Sequence, residues 1–587
     1  MVEGEGHPVL DGEGPEAALD LVAALDIAGV VAAARGVHRG DFHEHRPASH
    51  PALLVTAGME EEAVEPRVNT VGIAQRPEVP PRPDQAFLDG VLGRAIVPED
   101  PPGDRVQPID RCPGERREGL VIAALCPLDD VPRHPLPRLR PALGRSGSMA
   151  SAEGDSINPP CTIAPMFERT ALPEGPRVIS ARLPAARSAS VAAYVIAGSR
   201  NEHPEEAGVA HFLEHLTFKG TKAYPSTRAL SEAIEGVGGS FNAATDREST
   251  VYWARVPGRE VGRAMDVLGE LVSRPALDHG EIARERDVIV EEIRGYLDDP
   301  VEYCQILFQQ AMFGRSPLGR EICGDEADVR GLAEASIRTF WAGAYRPANV
   351  VVAVAGDLDH AVAVELAAKA FGTGNGVVHG FSPAPELPAG ERILTGRRDT
   401  TQAQLCIGVP GLQRDHPDAW ALALLNTILG DGMSSRLFLS LVDRAALAYD
   451  VGSGIVEYAD AGSLEVTAGV DPGKVGKALD AILVELARLR DEPVPDAELA
   501  KARAYLAGGL ELRMDETRHL ASWVGGQEAL HDRVLTLDEA LAAINAVTVD
   551  DIHDLAGRLF RDELLRLAVV APGRSARGLD RHLRLPG

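Results

Sequence analysis

Two histidines and a glutamate stand close together in the stretch His211-Phe212-Leu213-Glu214-His215, inside the run GVAHFLEHLTFKGT. In an α-helix, residues at i and i+4 lie one turn apart on one face, and the residue at i+3 lies beside them. A helical conformation would therefore gather two imidazoles and a carboxylate around one point. Neutral imidazole is a favoured zinc ligand, and catalytic zinc takes three protein ligands and leaves a fourth position for water. The stretch predicts a zinc site whose third ligand comes from elsewhere in the chain.

The order H-x-x-E-H reverses the H-E-x-x-H pattern of many zinc peptidases, in which the histidines bind the metal and the glutamate acts as a base. A five-residue pattern also arises by chance in a chain with 17 histidines. The alternative interpretation is a surface helix that carries two solvated histidines. Features elsewhere in the chain decide between these two interpretations.

The length and composition predict a globular protein of several units. The chain has 587 residues, of which 45% are hydrophobic, and a formal net charge of -28. This length exceeds what one hydrophobic core supports, so we expect about three to four units of ordinary size. The lack of a surplus of Lys and Arg excludes a nucleic-acid partner, because phosphate binding depends on such a surplus. A basic substrate would be attracted instead.

The cysteines and the apolar segments bear on the location of the protein. The six cysteines form no C-x-x-C pair, which argues against a disulfide framework and against a thiolate metal site. No apolar stretch reaches the length of a membrane span, and no signal peptide is evident at the N-terminus. We therefore expect a soluble cytoplasmic protein with no membrane span.

Residues 1–165 differ in kind from the rest of the chain. They are rich in Pro, Arg, His, Gly and Glu, and their apolar residues rarely keep a period of 2 or 3.6. Residues 17–34 are apolar enough for a short helix, and the histidines within 43–50 fit no zinc-peptidase spacing. Three interpretations remain open: a disordered extension, a pro-region, or a stretch upstream of a true start at Met149 or Met166.

Regular patterning begins just after Met166. The strand-like runs RVISARLP and SVAAYVIAGSR precede the histidine motif, and the strand-like run SFNAATDRESTVYWARV follows it. A helix is predicted over 260–273, and the next helix carries EIARERDVIVEEIRGYL. Glu285 and Glu292 lie seven residues apart in it, two turns along the same face. Either could point at a metal, or both could belong to a solvated face of ion pairs.

Three stretches in this order, GVAHFLEHLTFKGT, GGSFNAATDREST and EIARERDVIVEEI, resemble the pitrilysin-type zinc peptidases, which are inverzincins. The resemblance covers about 420 residues from Phe167 onward and is greatest for the mitochondrial and bacterial processing peptidases. It implies a zinc ion bound by His211, His215 and a glutamate that ends an E-R-D-x-x-x-x-E stretch. Glu292 holds that position, 77 residues beyond His215. The adjacent Glu291 would project about 100° away on the helix.

The resemblance also implies roles for the neighbouring carboxylates. One Zn2+ per chain would lower the pKa of its water and polarise the scissile carbonyl. Glu214, beside the metal, would take the proton of the water and pass it to the leaving amine. Glu285 would orient one of the metal ligands.

The second half of the chain repeats the first half without these residues. QAQLCIGVPGLQRDHPDAWALALLNTILGDGMSSRLF parallels VAAYVIAGSRNEHPEEAGVAHFLEHLTFKGT. Aligning His416 with His203, and Glu498 with Glu281, sets the register of the two copies. The five functional positions are then held by Leu424, Thr427, Ile428, Ala502 and Gly509. A duplication with one catalytic and one blank copy explains their joint loss.

We therefore predict an α+β protein with two homologous α/β-sandwich repeats, each an antiparallel-rich sheet with packed helices. The predicted boundaries are a catalytic repeat at 166–371, a linker at 372–392 and a noncatalytic repeat at 393–587. In the family that the chain resembles, such units close like a clam shell around an interior chamber, and the same is expected here.

The resemblance places substrate-binding residues in the first repeat. Ser240, Phe241 and Asn242 correspond to an edge strand, to which an extended substrate adds through main-chain hydrogen bonds. That mode of binding favours unfolded peptides over folded proteins.

In the second repeat of the family, an arginine and a tyrosine reach across to the substrate. Tyr449 is present here, but Val442 stands at the position of the arginine. Arg444 could substitute for the arginine if the backbone were shifted.

The sequence thus predicts a zinc endopeptidase that cleaves extended peptides or basic leader segments. The alternative is a noncatalytic assembly or peptide-binding subunit, a role of relatives that have lost the zinc motif. Val442 supports the alternative, and the intact motif opposes it. The expected partners are the peptide substrate and a second chain, which is either another copy in a homodimer or a related subunit in a heterodimer.

Overall fold

The computed structural model describes residues 166–374, 380–385, 390–531 and 533–587. These residues all fall in one of the two units into which the chain divides. The predicted extension, with its short helix and its histidine cluster, lies outside the described residues.

A six-stranded mixed sheet forms the centre of the first repeat. Its strands are β1 (Glu168–Ala171), β2 (Arg177–Arg182), β3 (Ser188–Val195), β4 (Ser240–Thr245), β5 (Thr250–Pro257) and β6 (Val350–Gly356). Their order across the sheet is β1-β2-β6-β3-β5-β4. β2 and β6 run parallel, and the other neighbours run antiparallel. β6 reads VVVAVAG and is buried along its whole length, as expected for an inner strand covered on both faces.

A five-stranded sheet in the second repeat has the same plan. Its strands are β7 (Ile393–Arg397), β8 (Ala403–Pro410), β9 (Ala448–Glu457), β10 (Gly462–Val470) and β11 (Arg566–Ala571). Their order is β7-β11-β8-β10-β9, with β7 parallel to β11 and the other neighbours antiparallel. These strands stand where β2, β6, β3, β5 and β4 stand in the first sheet. The second sheet therefore copies the first in strand order and in strand direction.

Helices cover both sheets. The first repeat contains α1 (Val209–Thr217), α2 (Thr227–Glu235), α3 (Val261–Ser273), α4 (His279–Asp298), α5 (Pro300–Phe313), α6 (Glu326–Gly331), α7 (Glu334–Ala344) and α8 (His360–Phe371). The second repeat contains α9 (Ala419–Gly430), α10 (Val475–Asp491), α11 (Asp496–Met514), α12 (Thr517–Leu530), α13 (Leu537–Ala546) and α14 (Val549–Leu559). No helix in the described part of the chain combines the length and the apolar content that crossing a membrane requires.

The helix that carries Glu285 and Glu292 is α4, and its start is set by a capping side chain. Asp278 precedes the helix, and its carboxylate accepts hydrogen bonds from the backbone N–H groups of Gly280 at 2.8 Å and Glu281 at 3.1 Å. The first N–H groups of a helix have no partner within the helix, so such a carboxylate satisfies them and fixes where the helix begins.

Each sheet buries one face under a helix that belongs to the other repeat. α5, from the first repeat, lies on β7, β8 and β11, where Phe308 and Met312 belong to one buried cluster with Cys406 and Val570. α12, from the second repeat, lies on β2, β3 and β6. α5 comes directly after α4, and α12 comes directly after α11, the equivalent helix of the second repeat. The two repeats therefore exchange equivalent helices.

Polar contacts fix α12 on the first sheet at both of its ends. At the start of the helix, the hydroxyl of Thr517 lies 3.0 Å from the hydroxyls of Ser188 and Ser190. Near its end, the buried carboxylate of Glu528 accepts a hydrogen bond from Arg177 at 3.1 Å. Directional bonds at two points hold the helix at one angle and one height on the sheet.

The predicted α+β class with two homologous repeats is confirmed. One strand prediction was too simple, because SFNAATDRESTVYWARV forms two strands, β4 and β5, joined by a turn at 246–249. The backbone N–H of Asp246 donates to the carbonyl of Ser249 at 2.8 Å and closes that turn. The predicted repeat boundaries and the clam-shell chamber stay predictions.

We expect Gly525→Ala to lower the free energy of unfolding by about 1–3 kcal/mol, the usual effect of overpacking a core. A Cβ at this position of α12 would lie 2.5 Å from the Cβ of Ala353 and 2.7 Å from Cε2 of Tyr194, so the helix would have to move off the sheet. Urea unfolding measures the change.

Gly508→Ala is the matched control for that substitution. Gly508 lies inside α11, and a Cβ there would meet no atom within 4 Å. Alanine in a helix interior is more stable than glycine by about 0.5–1 kcal/mol. A Gly525→Ala protein as stable as the control would show that α12 does not lie against the first sheet as described.

Candidate metal centre

α1 carries His211, Glu214 and His215, and its start is held by a residue from the preceding loop. Gly208 stands before the helix with φ of +87°, and a Cβ there would lie 2.4 Å from the carbonyl oxygen of Cys323. Glycine is therefore required for the close approach. It offers no capping side chain.

Glu202 takes the place of that cap. Its carboxylate accepts hydrogen bonds from the backbone N–H groups of Gly208 at 3.0 Å and Ala210 at 2.9 Å. Burial raises the pKa of Glu202 to about 8, although both N–H groups and Arg320 favour its charged form.

α4 packs on α1 and brings its carboxylates to the histidines. Ile289 and Ile293 of α4 are buried in the same cluster as Phe212 of α1, and the guanidinium carbon of Arg286 lies 5.5 Å from the centre of the Phe212 ring. Glu285 is buried on this face of the helix. The apolar contact between the two helices thus decides which glutamates reach the histidines.

Three side chains converge in this contact. His211 Nε2 lies 3.8 Å from Glu292 Oε1, and His215 Nε2 lies 3.3 Å from Glu292 Oε2. One ligand atom from each residue lies within 4.8 Å of the others, and no other group of three such residues in the described part of the chain meets this spacing. A tetrahedral zinc ion with bonds of about 2.0–2.2 Å holds its ligand atoms roughly 3.3–3.6 Å apart. The three residues therefore fit a zinc ion.

Further side chains orient these ligands. Glu285 Oε1 lies 2.9 Å from His215 Nδ1, and Glu285 Oε2 lies 2.6 Å from Lys219 Nζ. The hydroxyl of Tyr296 donates to Glu292 Oε1. A proton on Nδ1, shared with Glu285, leaves Nε2 of His215 with a lone pair for a metal.

Glu214 lies beside this cluster and has a different partner. Its side chain is buried, and its Oε2 accepts a hydrogen bond from the hydroxyl of Thr245, the last residue of β4. That bond fixes one carboxylate oxygen and leaves Oε1 for a substrate or water proton. β4 therefore positions both the predicted substrate residues and the predicted base.

The charges in the cluster favour a cation. Burial raises the pKa of Glu292, but the two imidazoles and Tyr296 outweigh this and hold its pKa at about 2. Burial lowers the pKa of His211, which favours the neutral form of this imidazole. Burial also lowers the pKa of His215, but the bonds to Glu285 and Glu292 outweigh it and raise the pKa to about 10. A metal ion needs a lone pair on Nε2 of His215, so it would compete with a proton for that atom.

The predicted substrate residues of the first repeat lie at a sheet edge. β4 is the last strand of its sheet and pairs with β5 alone. Ser240 is exposed, Phe241 packs against Phe218 with ring centres 5.6 Å apart, and Asn242 Oδ1 accepts from the N–H of Ala243 at 2.9 Å.

In the described part of the chain, the predicted substrate residues of the second repeat make no hydrogen bond or ion pair to the two histidines or to Glu292. Tyr449 is on β9, the edge strand of the second sheet, and is 64% exposed. Val442 lies in the π-helical segment Phe438–Arg444 and packs on the core of the second repeat. Arg444 donates from Nε to the carbonyl of Leu439 at 2.9 Å.

The blank copy is filled by packing residues. Leu424 and Ile428 of α9 are buried in the core of the second repeat, and Thr427 donates its hydroxyl to the carbonyl of Ala423. Ala502 of α11 is buried in the same core, and Gly509 lies on the same helix. In the second repeat, mainly apolar side chains occupy the positions that the histidines and glutamates occupy in the first repeat.

Comparisons with known proteins assign the family. Residues 177–326 match the insulinase family (peptidase family M16), and residues 332–506 match the peptidase M16 inactive domain. An uncharacterized zinc protease of Mycobacterium leprae is 36% identical over 430 residues, which are 71% of this chain and 94% of that protein. The chain belongs to peptidase family M16. The predicted pitrilysin-type relationship is thereby confirmed, whereas the narrower likeness to processing peptidases stays a prediction.

A further relative is similar in sequence, and two solved structures share the fold. An uncharacterized zinc protease of Bacillus subtilis is 33% identical over 409 residues, covering 69% of this chain and 98% of its own. A protease from Helicobacter pylori shares the fold, with a TM-score of 0.66 and 24% identity over 69% of this chain and 99% of its own. A putative M16-like peptidase from Alicyclobacillus acidocaldarius does so with a TM-score of 0.62 and 19% identity, over 69% of this chain and 98% of its own.

Four residues of this M16 site escaped the sequence reasoning. Lys219 and Tyr296 each stand four positions after a predicted site residue, so the helical spacing could have indicated both. Thr245 and Glu202 lie on a strand and in a loop, and only the tertiary fold brings them to α1. No periodic pattern marks them.

We expect Glu285→Gln to weaken zinc binding by about 10- to 100-fold without unfolding the protein, as loss of a ligand-orienting carboxylate does elsewhere. The amide is uncharged and cannot pair with both His215 Nδ1 and the Lys219 ammonium. Competition with a chelator in metal buffers measures the affinity. Glu281→Gln is the control, since Glu281 lies one turn earlier on α4 and pairs with Arg284 at the surface. Equal zinc affinity in both variants would remove Glu285 from the orienting role.

Proposed function

We propose that the protein is a zinc endopeptidase that cleaves extended peptides, with basic leader-like segments as favoured substrates. The observation that carries the proposal is the convergence of His211, His215 and Glu292, with Glu214 held beside them by Thr245. A ligand set of two histidines and one carboxylate that leaves a fourth position open is the set of a catalytic zinc site. The zinc protease names of the M16 relatives support the same metal, and we propose one ion per chain.

The bound metal would supply a Lewis acid that acidifies water and polarises the scissile carbonyl. Glu214 Oε1 takes the proton of the attacking water and delivers it to the leaving amine. Thr245 holds Oε2 and so keeps the carboxylate in one rotamer during both transfers. Glu285 and Lys219 hold the His215 ring in one orientation through Nδ1.

The free edge of β4 is the reason to propose an extended substrate. An unpaired strand edge offers a row of N–H and C=O groups that a peptide in β conformation can pair with, and side-chain pockets then add selectivity. β4 ends at Thr245, so a peptide bound along it runs toward Glu214. The net charge of -28 would attract basic segments. A cytoplasmic location and pairing with a second copy or a related subunit are part of the proposal.

A second candidate function is a noncatalytic assembly or peptide-binding subunit. Val442 favours it, because an apolar side chain packed on the core cannot replace an arginine that reaches the substrate. The two candidates differ in turnover. Cleavage of a basic peptide that stops when zinc is chelated and returns when zinc is added back supports the peptidase. Zinc-loaded protein that binds the peptide and leaves it intact supports the second candidate.

We expect Glu214→Gln to keep zinc and to lose activity by at least about 100-fold, the usual contribution of a general base. An amide cannot accept the proton of water. Turnover of a fluorogenic peptide and the zinc content of the same sample are measured together. Glu232→Gln, at an exposed position of α2, is the control. Retention of more than about a tenth of wild-type turnover would exclude Glu214 as the base.

We expect Glu292→Gln to yield folded protein that is largely free of zinc, because two imidazoles alone bind the metal weakly. Glu291→Gln should keep its zinc and its activity, since Glu291 is exposed and pairs with Arg294 on another face of α4. Zinc is measured by metal analysis after dialysis, and folding by circular dichroism. Zinc loss in the Glu291 variant alone would shift the assigned ligand by one residue.

A further inference from the structure

A buried network of four charged residues joins the two repeats. Arg200 donates to Glu248 Oε1 at 2.6 Å and to both oxygens of Asp460 at 2.6 and 2.8 Å, and Arg414 pairs with the other oxygen of Glu248. Arg200 is fully buried, Glu248 and Arg414 nearly so, and Asp460 is one-third exposed. Two cations alternate with two carboxylates, so the charges balance. We call these four residues the inter-repeat network.

The members of the inter-repeat network occupy equivalent places in the two repeats. Arg200 follows β3 and Arg414 follows β8. Glu248 lies in the β4–β5 turn, and Asp460 lies in the β9–β10 turn. Each repeat thus contributes one arginine and one carboxylate, and Glu248 and Asp460 each bond to an arginine of the other repeat.

Two neighbouring segments complete the inter-repeat network. In the predicted linker, the carbonyl of Ser382 accepts from Arg200 at 3.0 Å and the N–H of Ala384 donates to Asp460 at 2.8 Å. The carbonyl of Leu530, the last residue of α12, accepts from Arg414 at 3.0 Å. Arg414 therefore touches the exchanged helix and the β4–β5 turn at once.

Two short stretches of chain connect the inter-repeat network to residues that bond to α1. Glu248 stands three residues after Thr245, whose hydroxyl binds Glu214. Arg200 stands two residues before Glu202, whose carboxylate caps α1.

Backbone bonds tie these two stretches together. The N–H of Arg200 donates to the carbonyl of Arg247 at 2.8 Å, and the N–H of Ser199 donates to the carbonyl of Asp246 at 3.1 Å. The loop before α1 and the turn after β4 are therefore bonded directly to each other.

We propose that Arg414 and Asp460, from the repeat that lacks the metal motif, are positioning residues for the active site of the first repeat. They hold the β4–β5 turn and the loop before α1 through Glu248 and Arg200, and thereby hold Thr245 against Glu214. The expected effect of these residues on turnover rests on the proposed peptidase function. Their expected effect on the order of the turn and the loop is independent of that function.

The chemistry of the inter-repeat network is better suited to fixing the positions of its residues than to stabilising the fold. Taking charges out of water costs roughly what their attraction returns, so a buried ion pair adds little net stability compared with apolar residues of the same size. A guanidinium with fixed, planar donors does set the direction and distance of its carboxylate partners closely. A misplacement of about 1 Å at a catalytic group can lower a rate by about 100-fold.

The test compares Arg414→Met with Arg177→Met in the full chain. Both substitutions remove an arginine that pairs a buried glutamate of the other repeat, and in both the glutamate keeps another arginine: Arg200 for Glu248, and Arg169 for Glu528. The Arg177 pair lies on the docking contact of α12 and has no bond to the β4–β5 turn or to the loop before α1 in the described structure. The pair of variants therefore separates positioning from docking.

Hydrogen exchange gives a readout that needs no activity. We expect amides in peptides that cover 198–210 and 240–250 to exchange at least about tenfold faster in Arg414→Met than in the wild type, because their local opening becomes easier. Arg177→Met should leave these peptides at the wild-type rate. Equal rates in the two variants would overturn the proposal, whether or not the wild type cleaves any peptide.

Turnover gives the second readout. We expect kcat to fall by about 10- to 100-fold in Arg414→Met, with wild-type zinc content and with kcat unchanged in Arg177→Met. Arg414→Lys, which keeps the charge on Glu248, should recover part of the loss. If Arg414→Met does not fold, Asp460→Asn at the partly exposed end of the inter-repeat network should show the same pattern more weakly. A wild type that holds zinc and cleaves nothing would defeat the proposed function, and the exchange rates would still decide the positioning role.

Discussion

The structure depends on the mutual covering of two sheets. Each sheet has two apolar faces, and each has to bury the second face away from water. α5 covers that face of the second sheet and α12 covers that face of the first, so neither repeat completes its core without the other. The buried cluster around the second repeat accordingly includes Tyr194 and Ala353 of the first sheet. This shared core explains how a copy without a metal motif can still matter to the copy that has one.

The histidine pattern, and the family resemblance that implied Glu292, carried most of the sequence prediction. The limits of that prediction have physical reasons. Helical periodicity relates residues within one element, so it placed His211 with His215 and Glu285 with Glu292. It could not relate α1 to β4, since nothing in the sequence states which strand end meets which helix. The pairing of Thr245 with Glu214 therefore came only from the fold.

The two-stranded character of SFNAATDRESTVYWARV was missed for a related reason. The turn at 246–249 contains neither glycine nor proline, which mark a turn most clearly in a sequence. A backbone bond from Asp246 to Ser249 closes the turn, and bonds from the N–H groups of Ser199 and Arg200 hold it in place. The exchange of α5 and α12 likewise left no trace in the pattern, because an apolar helix face does not state which sheet it will cover.

The three glutamates near the metal centre carry the same chemical group but have different partners. Glu292 faces two imidazoles, and Glu285 is tied to an ammonium and an imidazole. Glu214 is bound by a neutral hydroxyl. Burial raises the pKa of both Glu285 and Glu292, but their ionic partners outweigh it and lower both pKa values, to about 2 for Glu292.

The apolar filling of the second repeat makes its loss of chemistry hard to reverse. Leu424 and Ile428 are buried in its core, and a histidine at either position would set an unpaired ring nitrogen among hydrocarbon, at a cost of about 1–3 kcal/mol. A single histidine there recovers no metal, because a site needs its ligands together. Any mutational path to a metal site in this repeat must therefore pass through less stable proteins with nothing gained on the way. The tight core of the second repeat thus opposes the return of a metal site there.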